Sequence, residues 1–219
     1  MQFLYDERAG ETSLSLCGEN YKYLFKVRRL REGDSIFVRN LCDDILYRYK
    51  IVSINKKEAF LELLESLYDE QRRKDFHLLW CMIDPKAMEK TLPMLNQIGV
   101  SKITFIYCER SQKNFKIDHQ RIQKILINSC QQCGRGDLME IEIAENLETI
   151  LQKYENINVL DFGGAKKWES IGKVLVGCEG GFSEYERELL KNCNKIAFDT
   201  DFILKSETAA VSIASKLLI

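Results

Sequence analysis

The sequence predicts an α/β protein in two parts: a small β-barrel or half-barrel over residues 1–68, then a mostly parallel, helix-covered sheet over residues 72–219. Three observations predict it. The first 66 residues hold short apolar runs separated by Gly, Asn or Asp, with one helical stretch among them. From residue 76 onward, strand-length apolar runs alternate with helical patterns, as in a parallel sheet covered on both faces. Between them, residues 65–74 are polar and rich in charge, which marks a domain boundary.

In chain order, strands are expected over 3–5, 13–16, 35–39, 45–52 and 59–64, with a helix near 21–30 followed by the turn signal Glu32-Gly33-Asp34. Residues 76–82 form the first strand of the second part. Asp84-Pro85 opens a helix, with Asp as N-cap and Pro in the first turn, and Gly99 closes it. A strand over 103–107 and a helix over 117–132 follow. Further strands fall at 141–143, 159–161, 174–176 and 196–198. Ser183-Glu184-Tyr185-Glu186 is a capping box, so a helix starts there. The last helix runs from about 207 to 218. Ligands in such folds sit at the carboxyl ends of the strands.

Composition narrows the function classes. The chain has 219 residues, 45% hydrophobic and 30% charged, as expected for a soluble globular protein. No apolar run is long enough to span a membrane, and the acidic start MQFLYDERAGE lacks an apolar signal region. The eight cysteines are therefore expected to be reduced thiols in a cytoplasmic protein. Cys130 and Cys133 form a C-x-x-C with no second pair, and His77 and His119 stand at unrelated spacings, so no metal site is expected. Trp80, Trp168, Met82, Met88 and Met94 read as packing residues.

Net charge is −1, so no global basic field announces nucleic acid. The local distribution says more. Residues 21–31, YKYLFKVRRLR, hold Lys22, Lys26, Arg28, Arg29 and Arg31 with no acid. Cations hold phosphates and interleaved rings stack on bases, so the segment suits RNA. The same spacing fits a solvated helix face with Leu24, Val27 and Leu30 turned to the core.

Three loops follow apolar strands: Phe162-Gly163-Gly164, Gly177-Cys178-Glu179-Gly180-Gly181-Phe182, and the stretch 199–206. Glycine serves where a side chain would block close approach or where φ is positive. Together the loops can form a pocket made mainly of main-chain groups, fit for an adenosine-like ligand. The dinucleotide fingerprint G-x-G-x-x-G and the P-loop lysine are both missing.

These residues carry a resemblance. GCEGGFSEYE (177–186) resembles the G-P-E-G-G-[FL]-S-x-x-E segment of the bacterial 16S rRNA uracil-N3 methyltransferases of the SPOUT class, which make the m3U1498 mark. ILKSETAAVSIA (203–214) resembles their I-L-R-x-E-T-A. NQIGVSKITFIYCERS (96–111), SCQQCGR (129–135) and YLFKVRRLREGD (23–34) resemble further family segments in the same order. Cys178 stands where the family usually has Pro, Lys205 where it has Arg, Tyr23 where His is common, and Gln97 where Glu is common.

The resemblance implies an N-terminal PUA-like barrel and a C-terminal SPOUT domain with a trefoil knot, a rare exception to un-knotted chains. It implies S-adenosylmethionine as cofactor, 16S rRNA in the small ribosomal subunit as substrate, and a homodimer. Phe162, Gly163, Gly177, Glu179, Gly180, Gly181, Phe198, Leu204, Ser206 and Thr208 are then expected at the cofactor. Lys205, Glu207 and Arg110 are expected at the reaction, Glu207 and Thr208 also shaping the knot loop. Lys22, Lys26, Arg28, Arg29, Arg31 and Arg135 are expected to face RNA. Competing readings are another SPOUT enzyme acting on tRNA or a ribose 2′-hydroxyl, a non-catalytic RNA-binding assembly factor, and a generic small-molecule α/β enzyme. Gly180→Val is expected to abolish cofactor binding in calorimetry while the chain stays folded; retained affinity would overturn the pocket assignment.

Overall fold

The computed structural model describes residues 1–71, 74–111, 117–166 and 171–219. The chain divides into two compact units: Met1–Arg72 with Ile127–Leu138, and Arg73–Leu126 with Met139–Ile219. Trp168 lies outside the described residues.

The first unit holds strands β1 (Leu4–Tyr5), β2 (Ser13–Cys17), β3 (Ser35–Arg39), β4 (Ile45–Ile54) and β5 (Glu58–Tyr68), ordered β1-β3-β4-β5-β2 in a half-barrel sheet. Pairing is antiparallel except between β1 and β3. Leu14, Leu16, Val38, Tyr49, Ile51, Ala59 and Leu61 alternate inward and form its core. The stretch expected to be one helix over 21–30 differs. A short helix α1 (Gly18–Tyr21) widens into a π-helix (Lys22–Val27) and ends there, because Arg29 adopts a left-handed φ of 59°. Tyr21, Leu24 and Phe25 are buried and Val27 is 67% exposed, so Val27 is not the core residue its spacing suggested.

The second unit is a six-stranded, wholly parallel sheet of order β11-β9-β10-β6-β7-β8. Its strands are β6 (His77–Cys81), β7 (Lys102–Ile106), β8 (Glu140–Ala144), β9 (Asn158–Ala165), β10 (Lys173–Val176) and β11 (Asn194–Ile196). Helix α2 (Pro85–Ile98) starts as expected: Asp84 accepts from the Ala87 N–H at 3.0 Å, and Gly99 closes the helix at φ 101°. Helix α3 (His119–Cys133) crosses the division between the units. Helix α4 (Leu147–Lys153), capped by Asn146, was not anticipated, since seven residues give too short a period to read. Helices α5 (Glu184–Leu189) and α6 (Ser206–Leu218) complete it. From edge strand β11 the chain returns to the middle of the sheet, where α6 packs on α2, β6 and β10.

Two expectations are corrected. β9 continues through Phe162, Gly163 and Gly164, which are strand residues and not a loop. Gly164 makes this possible: a Cβ there would lie 2.6 Å from the Ile196 carbonyl carbon, so only glycine lets β11 pair alongside. Not all cysteines are free: Cys81 and Cys108, at neighbouring carboxyl ends of β6 and β7 with Cα atoms 5.9 Å apart, are joined as a disulfide. Of the C-x-x-C pair, Cys130 packs against Phe3 and Leu41, and Cys133 is exposed.

A charged network lies across β6, β7 and β8. Glu142 accepts from Thr104 and Tyr154 and pairs with Lys102 and Lys153. Burial pushes its carboxyl up, but the hydrogen bonds from Lys153, Tyr154 and Lys102 outweigh that and hold it at about 2. His77, 5% exposed and within 2.7 Å of the Thr104 hydroxyl, is lowered to about 4, first by burial and then by the charge of Lys102. Both groups bind protons less readily folded than unfolded. Their contribution is therefore complete above the unfolded values and is lost on acidification, His77 between about 6.5 and 4 and Glu142 between about 4.5 and 2. Urea unfolding should show stability falling by on the order of 1 kcal/mol per pH unit below pH 6.5. His77→Asn should flatten that slope between pH 6 and 5, and an unchanged slope would remove His77 as its cause.

Candidate functional site

Three chain segments meet at the carboxyl ends of β9, β10 and β11 and enclose a cavity of about 600 Å³. β10 is apolar and buried after Lys173, and it delivers Gly177 directly into the wall. The glycine turn beyond it is closed by a hydrogen bond from the Gly181 N–H to the Cys178 carbonyl at 2.9 Å, with Gly181 at φ 63°. A Cβ at Gly177 would touch the Phe182 ring at 3.4 Å, and one at Gly180 would press on the Arg110 side chain at 3.2 Å. The glycines thus keep the wall thin, with main chain facing the cavity.

The start of α5 holds this turn in place. The Ser183 hydroxyl accepts from the Glu186 N–H at 3.1 Å, and the Glu186 carboxylate accepts from the Ser183 N–H at 2.9 Å. The other oxygen of Glu186 accepts from the Glu109 N–H at 2.8 Å. This carboxylate is 3% exposed, so its charge is met by N–H donors and the start of α5. Arg110 adds a second tie, donating to the Gly180 carbonyl at 2.8 Å. The segment 108–111 after β7 is therefore bound to the glycine loop at Gly180 and to the start of α5 at Glu186. Cys178 is buried in the turn; burial pushes its thiol up, so it packs as a neutral group.

The remaining wall comes from β9 and the chain after β11. Gly163, at φ 76°, and Phe162, 73% exposed, stand on one side; Phe198, Phe202, Ile203, Leu204 and Lys205 stand on the other. Two ion pairs lie at the rim, Asp161 with Arg187 at 2.6 Å and Lys166 with Asp199 at 2.5 Å. The hydrogen bond from Lys166 holds the Asp199 carboxyl below its usual range.

The structure brings together Phe162, Gly163, Gly177, Glu179, Gly180, Gly181, Phe198, Leu204, Lys205 and Ser206 in this lining. Arg110 touches it through Gly180. Glu207 and Thr208 lie outside it, and among the described residues neither side chain makes a hydrogen bond; the bonds at the start of α6 are made by Ser206. Lys22, Lys26, Arg28, Arg29 and Arg31 are all exposed in the first unit. Arg135, also in that unit, is instead 10% exposed and paired with Asp137 at 2.8 Å. Sequence reasoning missed Asp161, Arg187 and Lys166 at the rim, because ion pairs closing across the mouth leave no local pattern. It read Glu186 as a helix cap alone; its bond to Glu109, 77 positions away, has no sequence signal.

Residues 70–218 match the RNA methyltransferase domain family, and residues 16–64 match the RNA methyltransferase PUA domain. The chain belongs to the RNA methyltransferase family, with the α/β fold of the knotted SPOUT class. It is 42% identical to the ribosomal RNA small subunit methyltransferase E of Helicobacter pylori over 98% of both chains, and 29% identical to that of Aquifex aeolicus over 99% of this chain and 98% of that one. Among solved structures, a Legionella pneumophila methyltransferase with bound SAM shares the fold at a TM-score of 0.82 and 24% identity, covering 98% of this chain and 96% of that one. The Neisseria gonorrhoeae small subunit methyltransferase E bound to S-adenosylmethionine does so at 0.78 and 20%, covering 99% and 96%.

Gly164→Ala tests how the site is built. The added methyl must displace the backbone of Ile196. It should cost about 3 kcal/mol in urea unfolding, at the upper end for overpacking, and open the cavity wall. Wild-type stability would show that β9 and β11 are not in this register.

Proposed function

We propose that the protein transfers a methyl group from S-adenosylmethionine to N3 of a uridine in the 16S rRNA of the small ribosomal subunit. The observation that carries this reading is the glycine-walled cavity at Gly177–Gly181 in a chain 42% identical to a small subunit methyltransferase E across nearly its whole length. The cavity fits the cofactor. Its volume lies within the range of ligand sites, its walls combine glycine backbone and apolar side chains with a few charged ones such as Glu179 and Lys205, and a Cβ at Gly180 would press on Arg110.

When bound, the cofactor supplies an electrophilic methyl on its sulfonium. The chain's task is mainly positioning. Backbone at Phe162–Gly163, at Gly177–Gly181 and from Phe198 to Leu204 holds the ligand and excludes water on one side. Lys205 lines the cavity and Arg110 lies over Gly180, so these cations are assigned to the RNA phosphate or the target base. Lysine at 205 acts as a point charge, without the fixed fork of arginine. Uracil N3 loses a proton on methylation, and the base must be unpaired to present that edge. Glu207, in the first turn of α6 and outside the cavity lining, is the candidate acceptor of that proton.

The barrel, residues 1–68, is assigned to RNA through exposed Lys22, Lys26, Arg28, Arg29 and Arg31, and residues 72–219 to methyl transfer. Arg135 would reach RNA only by leaving Asp137. The protein acts as a cytoplasmic homodimer on this reading; among the described residues no helix is long and apolar enough to cross a membrane.

Nucleoside mass spectrometry of small-subunit rRNA from cells with and without the gene tests the reading. Loss of 3-methyluridine, restored by the wild-type gene and not by a Gly180→Val copy, is expected. Unchanged 3-methyluridine would overturn the uracil-N3 assignment.

A further inference from the structure

Trp80 lies in the middle of the sheet, in β6, and is 0% exposed. A buried indole N–H left without an acceptor is costly. Its acceptor is the Ser206 hydroxyl, 2.8 Å away and 126 positions later in the chain. That same hydroxyl donates to the Gly177 carbonyl at 2.5 Å. A serine hydroxyl has a single proton to give, and here it is given to Gly177. The Ser206 side chain therefore has no donor left for a ligand in the cavity it lines.

Register explains why these groups meet. Trp80 pairs with Val176 of β10, the residue immediately before Gly177. Ser206 is the first residue of α6, where the chain returns from edge strand β11 to the centre of the sheet. The three groups form a buried line from a core tryptophan, through the first turn of the last helix, to a carbonyl in the cavity wall. The Phe182 ring also lies beside Gly177, close enough to touch a Cβ placed there. A carbonyl has two acceptor positions. With one occupied by the Ser206 hydroxyl, which Trp80 holds in turn, the direction of the second is set.

We propose that Trp80 and Ser206 are positioning residues for the cofactor: their hydrogen-bonded relay fixes the Gly177 carbonyl and pins the start of α6 against the glycine loop. Ser206 thus acts through Gly177 and not by its own contact with the ligand, and Trp80 is more than a core filler. This rests on the cofactor reading above.

Calorimetric titration of the full-length protein with S-adenosylmethionine separates the possibilities, with circular dichroism to check folding. Ser206→Ala and Trp80→Phe should each weaken binding by about 3- to 30-fold, the range for loss of one or two buried hydrogen bonds, while the stoichiometry stays that of the wild type. A merely destabilised protein would instead lose stoichiometry at unchanged affinity. Ser206→Thr, which keeps the hydroxyl, should bind within a few-fold of the wild type. The double variant should be no weaker than the weaker single variant, because both remove the same relay. Wild-type affinity in Ser206→Ala, or losses that multiply in the double variant, would overturn the relay. A wild-type protein that does not bind the cofactor would overturn the cofactor reading itself. If Trp80→Phe does not fold, the comparison of Ser206→Ala with Ser206→Thr decides alone.

Discussion

Strand β6, His-Leu-Leu-Trp-Cys, is buried at every position and hydrogen-bonded on both sides, to β7 and to β10. The site depends on those two pairings. β10 hangs on β6, β9 hangs on β10, and β11 hangs on β9, so the three carboxyl ends that make the cavity are indexed to one central strand. On the other side, β7 carries the segment 108–111 to the glycine loop, where Glu186 and Arg110 fasten it. A strand with a polar outer face could not occupy this place, since helices cover parallel sheets on both faces.

The arrangement of charge follows the same division. Inside the cavity wall the polar groups are mainly peptides. Several charged side chains are paired at its edge or behind it, Asp161 by Arg187, Lys166 by Asp199 and Glu186 by backbone N–H groups, while Glu179 and Lys205 line the cavity itself. Fixed dipoles cost little reorganisation when a ligand enters, whereas unpaired charges in the wall would carry a desolvation penalty. The larger charged network, around Glu142, lies on β7 and β8, among residues that do not line the cavity.

The features legible in the sequence were those encoded within a few residues. Asp84-Pro85, Gly99 and the Ser183/Glu186 box marked helix ends because capping is local chemistry. The glycine loop was legible because glycine at such spacing limits what a backbone can do. Features set by distant partners were not. Gly163 and Gly164 read as a loop, yet they run within β9, where Ile196 pairs with Ala165 and its backbone passes too close to Gly164 for a side chain. The stretch 21–30 read as one helix with Val27 turned to the core, but the π-helix over Lys22–Val27 leaves Val27 exposed. Trp80 gave no hint of Ser206, because a hydrogen bond across 126 positions has no signature in either neighbourhood.

The half-barrel is finished by chain that arrives from beyond it. Cys130, on the last turns of α3, fills the cluster with Phe3 and Leu41; the Gln131 carbonyl and side chain accept from the Gln2 and Tyr5 N–H groups; and Gln71 grips the loop at Gly134 and Gly136. The barrel is therefore not an autonomous cassette. A polypeptide released at residue 72 would lack one wall of its own cluster and leave the Gln2 and Tyr5 amides seeking water. Such borrowing ties the inheritance of the two units together: a recombination that exchanged only the first 72 residues would have to match the grafted barrel to a helix end encoded more than fifty positions later.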